Sequence, residues 1–524
     1  MLGKQDPQLT LLEVELWAGR EIVPSDSFYG RFARVAGELV SDETFAACYR
    51  AKGRPSISPA LLTKVLLLAL HDGCSDRRAI EHVRLHLGWK VALGLALDDP
   101  GCHPTTLTVF RARLLVHELD RKLFTDVVGR AVKAGLLTKN AAQTVDSSAI
   151  LGAGAVQDTY TLLRKALQKV ARAGRRQLPA ELRGRLVRYE EGKKARINWD
   201  DAQERREELV RLASDARAVL AALPAEEEAM NESAADTQVG VARALLEQVL
   251  NQDVETGPDG NPQIRTVVAR HRVPSTTDPE MRHGRKSSRR KWTGYKQHIM
   301  SDPVSELVTA VAVSGASTGD GVMLDELLDE GKKADLAPSQ VIGDQAYGGG
   351  ALRQELAKNG IEIVAKVAPI ANGDFFSKDR FSIDLDANTV ECPAGHFVRT
   401  RLAKPDHDRR VVFPVALCRD CSLRSQCVRG KGGRSITIGA YEAQRQSARV
   451  SQRTETTQAL LHLRPRIERK LAHLVRWGSR QARYVGQRKV SLQIHLVGLL
   501  ANFDRLGRLA AGQPDLITRL AAAN

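Results

Sequence analysis

Three carboxylates, Asp146, Asp344 and Glu468, stand in sequence surroundings that suit metal chemistry. Gln143–Asp146 and 340–344 each predict a short β-strand ending in an aspartate. Hard divalent cations prefer oxygen ligands, and two ions about 3.5 to 4 Å apart can activate an attacking oxygen and stabilise a leaving one. Each aspartate alone is more typical of a turn or a helix cap. Together they predict a site for two Mg²⁺ or Mn²⁺ ions.

Glu468 is the one acidic residue between Glu455 and Asp504. It follows Pro465, which predicts the first turn of a helix. The segment 464–489 around it contains nine Lys or Arg residues. An ion pair with Arg464, four residues earlier, is the simple structural explanation for this glutamate. The functional explanation is that Glu468 is a metal ligand on a basic helix that faces phosphates.

Four of the seven cysteines fall within a short segment: Cys392, Cys418, Cys421 and Cys427. The Cys-x-x-Cys spacing of the middle pair lets two thiolates share one tetrahedral ion, and the outer pair would complete a structural Zn²⁺ site. His396 could replace one thiol. Unliganded thiols remain the alternative, because the first half of the pattern is a single cysteine.

The charge of the chain favours a polyanionic partner, since the formal net charge is +16 and the pI is about 9.6. Nucleic acid is the default candidate, because a basic protein gains affinity by releasing counterions from phosphates. The segment Arg282–Lys296 has seven Lys or Arg and no acid. Surface charge that serves solubility alone is the alternative. The predicted DNA-contacting residues are Arg282, Arg285, Lys286, Arg289, Arg290, Lys291, Lys296, Arg464, Arg466, Lys470, Arg483, Arg488 and Lys489.

The elements that must position these residues predict a mixed α/β protein with large insertions. Residues 1–138 have helical patterns and predict a DNA-binding or dimerisation domain, in which Arg111 or Arg113 could contact bases. A helical insertion is expected at 152–262 and a cysteine-containing insertion at 371–445. The catalytic core would then consist of 139–151, 263–370 and 446–524. The predicted elements are helices from Pro59 to Leu70, Ser75 to Leu87, Pro104 to Leu119 and Asp320 to Lys332, and strands Trp292–Met300 and Leu307–Val313.

A membrane protein is not expected. The longest strongly apolar stretch, Val65–Leu70, is far shorter than the roughly 18 residues that cross a bilayer. Charged residues at Lys4, Asp6, Glu13 and Glu15 interrupt any signal peptide. A cytoplasmic location is predicted.

Several sequence blocks, taken together, resemble one family, the Asp-Asp-Glu transposases of bacterial insertion sequences. Within this family, the chain resembles the branch that has an N-terminal helical domain and a cysteine-containing insertion. The blocks that carry it span nearly the whole chain. They are Thr144-Val-Asp-Ser-Ser148, Asp278-Pro279 through Arg282 and Lys286 to Gly294-Tyr-Lys-x-His298, Gly343-Asp-Gln-Ala-Tyr347, Arg464-x-Arg-Ile-Glu-Arg-Lys470, and Gln481-Ala-Arg-Tyr-Val-Gly-x-Arg-Lys489.

The resemblance implies a ribonuclease H-like core in which Asp146, Asp344 and Glu468 hold two metal ions. It also implies cleavage at element ends, strand transfer into target DNA, a homodimer or higher oligomer on DNA, and a place at the bacterial nucleoid. Relatives commonly carry a Tyr and a Lys where this chain has Leu461 and Val475. The absence of this pair weakens the case for a cleavage mechanism with a DNA hairpin intermediate. Lys470 is a possible substitute for that lysine. Two other functions stay open, a metal-dependent nuclease without strand transfer and a repurposed DNA-binding protein.

Overall fold

A computed structural model describes residues 1–4, 22–50, 52–189, 197–223, 234–368, 370–400 and 407–523. The N-terminal positions Asp6, Glu13 and Glu15, where no signal peptide is expected, lie outside these ranges. Within the ranges, no helix combines the length and the apolar character that crossing a bilayer needs.

The N-terminal part is helical, as predicted. Ser58 accepts a hydrogen bond from Leu61 N, and Pro59 occupies the first turn, so that this helix begins where the sequence indicates. The helix predicted to reach Leu87 ends at Leu85 instead, because His86 adopts an extended backbone and caps the next helix. The helices here are α1 (Phe28–Leu39), α2 (Pro59–His71), α3 (Asp76–Leu85), α4 (Leu87–Leu93), α5 (Pro104–Val116) and α6 (Leu119–Lys133), with a 3₁₀ segment Asp42–Cys48.

A mixed six-stranded sheet forms the centre of the molecule. Its long strands match the predicted hairpin, with ends shifted by one or two residues. The strands are β1 (Gln143–Leu151), β4 (Arg282–Arg285), β5 (Lys291–Ser301), β6 (Val308–Gly315), β7 (Gln340–Ile342) and β8 (Glu362–Val364). Strand β5 pairs antiparallel with β1, β4 and β6, whereas β7 pairs parallel with both β1 and β8. The order is β4-β5-β1-β7-β8, with β6 also on β5.

Helices cover both faces of this sheet. On one face, α11 (Leu324–Lys333) and α12 (Gly350–Lys358) pack against Val145, Met300 and Val341. On the other face lie α17 (Pro465–Leu474) and the long helix α18 (Gln487–Gly512). Helix α18 also packs among the N-terminal helices, so that these helices and the sheet share one apolar core. The remaining helices of the C-terminal half are α15 (Glu442–Ser451), α16 (Glu455–Leu461) and α19 (Leu516–Ala522), with a π-helical segment Val475–Ser479 after α17.

Two further bodies interrupt the central sheet along the chain. The first is a helical bundle with its own apolar core, inserted after β1. Its elements are α7 (Thr159–Ala173), α8 (Ala180–Leu186), α9 (Ala202–Ala222), α10 (Ala234–Asp253), β2 (Val254–Thr256) and β3 (Pro262–Ile264). The second contains the four clustered cysteines and a separate small core. Its elements are β9 (Ser382–Asp384), β10 (Thr389–Glu391), β11 (Phe397–Arg399), β12 (Arg409–Val412), α13 (Val415–Arg419), α14 (Arg424–Cys427) and β13 (Ser435–Ile438).

Candidate functional site

The pairing of β1 with β7 brings two of the predicted carboxylates together. The strands are parallel, and Thr144 lies opposite Ile342. Asp146 and Asp344 each follow two residues later, so they lie side by side where β7 ends. Asp146 lies within β1, whereas Asp344 lies just beyond the end of β7 rather than in the strand.

Asp344 is held by the short 3₁₀ segment that it starts. Its Oδ1 accepts a hydrogen bond of 2.8 Å from Ala346 N, in the manner of a helix cap. Gly343 is required immediately before it, because a Cβ at this position would come within 2.9 Å of the buried Tyr347 ring. The packing of Tyr347 against this glycine therefore fixes the backbone that carries Asp344.

Burial and a like charge act together on Asp146. The pKa of this carboxyl is raised to about 6, mainly by desolvation and also by the nearby Asp344 carboxylate. A hydrogen bond from Ser147 N and the charges of Arg464 and Lys286 act in the opposite direction. Two neighbouring carboxylates with one desolvated create a local excess of negative charge, which a bound cation would neutralise.

Glu468 lies on the first turn of α17, which packs against β1 through Ile467 and Leu471. Its Oε1 accepts an ion pair of 2.9 Å from Arg464 Nη2, which confirms the pairing indicated by the i−4 spacing. Arg464 also lowers the pKa of Asp146, so one guanidinium acts electrostatically on both carboxylates. In the described part of the chain, no three His, Cys, Asp or Glu side chains are grouped so that they could hold a metal ion.

The first basic segment forms a hairpin at the edge of the sheet. Strands β4 and β5 pair from Arg282–Gly294 to Arg285–Lys291, and Lys286 N donates to Arg290 O across the turn. The charge of Lys286 lowers the pKa of Asp146, so this cation of the turn acts electrostatically on the carboxylate. The exposed cations of the hairpin are Arg285, Lys286, Arg289, Arg290 and Lys291.

Two cations of this segment are instead engaged within the protein. Arg282 donates to the carbonyls of Pro279 and Met281, and Lys296 forms an ion pair of 2.8 Å with Asp320.

Most cations of the second basic segment also have protein partners. Arg466 donates to Pro303 O, and Lys470 is buried, which lowers its pKa to about 8. Arg483 donates to the carbonyls of Cys74 and Ala69.

Arg488 forms a bidentate pair with Asp120, at 2.8 and 2.6 Å. Asp120 has no exposed side-chain surface. Arg488 therefore ties the sheet-covering helix α18 to the N-terminal helix α6. The next residue, Lys489, is exposed.

The arginines expected to contact bases in the N-terminal helices have intramolecular partners. Arg111 pairs with Asp76 through both of its terminal nitrogens and lies 5.6 Å from the centroid of the Tyr484 ring. Arg113 lies 4.6 Å above the centroid of the Tyr49 ring. These contacts connect helices to each other and to the C-terminal half.

The site also includes buried polar groups to which the sequence analysis assigned no role. His298 lies opposite Ser147, the neighbour of Asp146, and its Nε2 lies 2.8 Å from Ser314 Oγ. Burial lowers the pKa of His298 to about 4. The phenol of Tyr347 is near enough to both aspartates that their charges add to the rise in its pKa caused by burial. Both residues lie in the sequence blocks that carry the family resemblance, and that position was the sequence feature that could have indicated a role for them.

The four clustered cysteines line one small pocket, together with His396. Burial raises the pKa of the Cys427 thiol, and the other three cysteines act on it as neighbouring charges. The fold of this insertion therefore brings thiols up to 35 residues apart in sequence to the lining of one pocket, although the described side chains do not form a ready metal site there.

Two family models match the chain. One, described as a transposase DDE domain, matches residues 391–507, which include Glu468 and the four cysteines but neither aspartate. The other, described as a transposase domain (DUF772), matches residues 18–113 of the helical N-terminal part. No curated protein and no solved structure matches the chain. The two matches lie in the order and in the regions that the resemblance implied, and together they indicate a DDE transposase of an insertion-sequence element.

Proposed function

We propose that this transposase cleaves DNA at the ends of its own element and transfers the freed strands into target DNA. The observation that carries the proposal is the parallel pairing of β1 with β7, which sets Asp146 beside Asp344. The cationic β4–β5 hairpin next to them supplies a surface for phosphates. Two ends must be handled in one reaction, so the protein acts as a homodimer or higher oligomer on DNA at the bacterial nucleoid.

The core is proposed to be ribonuclease H-like. The strand order β6-β5-β1-β7-β8, with three antiparallel strands followed by two parallel ones, supports this assignment. Helices on both faces complete the α/β arrangement.

Asp146, Asp344 and Glu468 are the residues that would hold two Mg²⁺ or Mn²⁺ ions. The chemistry of the donors suits these ions, because the three groups are carboxylates and the desolvated Asp146 is repelled by Asp344 until a cation is added. The described side chains are not yet grouped as a metal site, since Glu468 is paired with Arg464. Such ions activate an attacking oxygen and stabilise the leaving one. Glu468 must exchange its partner Arg464 for this role, and the released guanidinium would then be free to bind the DNA backbone.

The DNA contacts are proposed for the exposed cations of the site. These are Arg285, Lys286, Arg289, Arg290 and Lys291 on the hairpin and Lys489 at the start of α18. The cations with intramolecular partners would instead stabilise the fold around this surface.

A structural Zn²⁺ ion is proposed for the cysteine-containing insertion. Cys392, Cys418, Cys421 and Cys427 line one pocket, and four thiolates are a common ligand set for this ion. The ion would stabilise a body whose own apolar core is small.

The test of the catalytic proposal compares two glutamates in the same setting. Glu468 is about half exposed and pairs at 2.9 Å with an arginine four residues earlier, and Glu247 does the same with Arg243. The substrate is a supercoiled plasmid that carries the gene with its flanking DNA, incubated with Mg²⁺. Glu468→Gln should abolish cleavage and strand transfer but leave DNA binding, whereas Glu247→Gln should retain all three activities.

Equal activity of the two variants would refute the assignment of Glu468. Cleavage by the wild-type protein without joined products would indicate a metal-dependent nuclease.

A further inference from the structure

The helical insertion has one strongly basic side. From Tyr160 to Tyr189, which covers α7 and α8, the chain has nine Lys or Arg and one acid, Glu181. Helix α9 of the same bundle has four basic and four acidic residues. A charged helix that only needs solubility carries both signs, as α9 does. The bias of α7 and α8 therefore calls for a different explanation.

Three basic residues of α7 lie on one stripe. Lys165, Lys169 and Arg172 are spaced by four and three residues, which places them on one face of the helix. All three are exposed, and so is Arg176 in the turn that follows the helix. Lys169 also donates to Thr276 O, which fixes one point of the stripe. The apolar residues of the helix occupy the opposite face and form the core of the bundle. A helix of this length is about 22 Å long, enough to follow several phosphates of a DNA strand.

A cleft of about 540 Å³ opens beside this stripe. Arg172 from the last turn of α7, Arg175 from the turn after it and Arg183 from α8 line the cleft, with Leu178 and Tyr189 among its apolar walls. All three arginines are exposed. Arg183 donates one N–H to Arg175 O at 3.2 Å, which orients a guanidinium that has five N–H donors in all.

We propose that the stripe and the cleft form a second DNA-contacting surface that binds backbone phosphates of duplex DNA. Arginines favour phosphate because their planar forks donate two parallel hydrogen bonds. The extended stripe fits a polymer of regularly spaced charges better than a small anion, which would need only the cleft. The inference rests on the proposed function for the identity of the polyanion. It assigns to the insertion the binding of DNA at a second surface, separate from the carboxylates.

The test uses two double variants with the same loss of charge. Arg175→Gln/Arg183→Gln removes cations of the cleft, and Arg206→Gln/Arg217→Gln removes exposed cations of α9. Binding of a labelled random-sequence duplex is measured across a salt series, with circular dichroism as the check of folding. The cleft variant should lower the slope of log K against log salt by about 1.8, which is about 0.9 for each of two lost contacts. The α9 variant should keep the slope of the wild-type protein.

A cleft variant with the slope of the wild-type protein would overturn the inference, and so would an equal decrease in both variants, which would indicate a general effect of charge. The catalytic proposal is judged separately, by cleavage of plasmid in Mg²⁺. If the wild-type protein cleaves and the cleft variant keeps the wild-type salt slope, only the proposed second surface is refuted. A protein that never cleaves but loses slope in the cleft variant refutes the catalytic proposal and supports the surface.

Discussion

Arg488→Met should destabilise the protein without changing its affinity for DNA. The guanidinium makes two hydrogen bonds, of 2.8 and 2.6 Å, to Asp120, whose side chain has no exposed surface. Removing one partner of a buried pair leaves an uncompensated charge and costs about 3 to 5 kcal/mol. Arg488 itself is 33% exposed, so solvent already screens part of the interaction and the lower end, about 3 kcal/mol, applies.

His495 is a poor replacement for the lost cation. It lies 3.6 Å from Asp120 but is buried, and burial lowers its pKa, which disfavours the charged form. The cost of the substitution should therefore appear in full as a lower free energy of unfolding, measured by urea denaturation.

Lys489→Met is the matched control, since it removes the same charge from the next residue, which is exposed. It should change stability by less than about 0.5 kcal/mol. If Lys489 contacts a phosphate, this variant should lower the salt slope of DNA binding by about 0.9, while Arg488→Met leaves the slope unchanged. The added substitution Asp120→Asn should recover much of the stability lost in Arg488→Met, because it removes the buried charge. A stable Arg488→Met protein with a reduced salt slope would refute the reasoning and make Arg488 a DNA contact.

Three other outcomes are expected. The triple Gln variant of 289–291 should weaken binding to all DNA, with a slope decrease approaching about 0.9 per lost contact and little change in preference for element ends. A selective loss for element ends would mean that the hairpin contacts bases. Protein purified without chelators should contain about one zinc ion per chain, and Cys421→Ser should lose it while Cys102→Ser keeps it; a zinc-free wild-type protein would contradict the site. Gly343→Ala should cost about 1 to 3 kcal/mol and impair cleavage, because its Cβ would press on the Tyr347 ring; unchanged melting and cleavage would show that the ring can move aside.

The local parts of the structure were predictable from the sequence. The Ser58-Pro59 cap and the pairing of Arg464 with Glu468 depend on residues within four positions of each other, and both are confirmed. The predicted end of β7 was less accurate, because Asp344 caps the following 3₁₀ segment and is not part of the strand.

The long-range parts could not be derived in this way. The side-by-side placement of Asp146 and Asp344 depends on a parallel pairing of strands almost 200 residues apart. Arg488 and Lys489 are neighbours of the same charge, yet one has a partner 368 residues away in sequence and the other is exposed. Composition reports the charge of a segment, whereas the fold decides which of its cations remain available to DNA.

The most direct test is metal-dependent cleavage by Asp344→Asn, compared with Asp201→Asn. Both aspartates accept backbone hydrogen bonds at the start of a helical segment, and Asp201 belongs to the helical insertion rather than to the proposed catalytic carboxylates. With Mg²⁺ and a plasmid carrying the element, Asp344→Asn should show no cleavage while it binds DNA as the wild-type protein does, and Asp201→Asn should cleave normally. Near-wild-type cleavage by Asp344→Asn would contradict the assignment of the catalytic carboxylates.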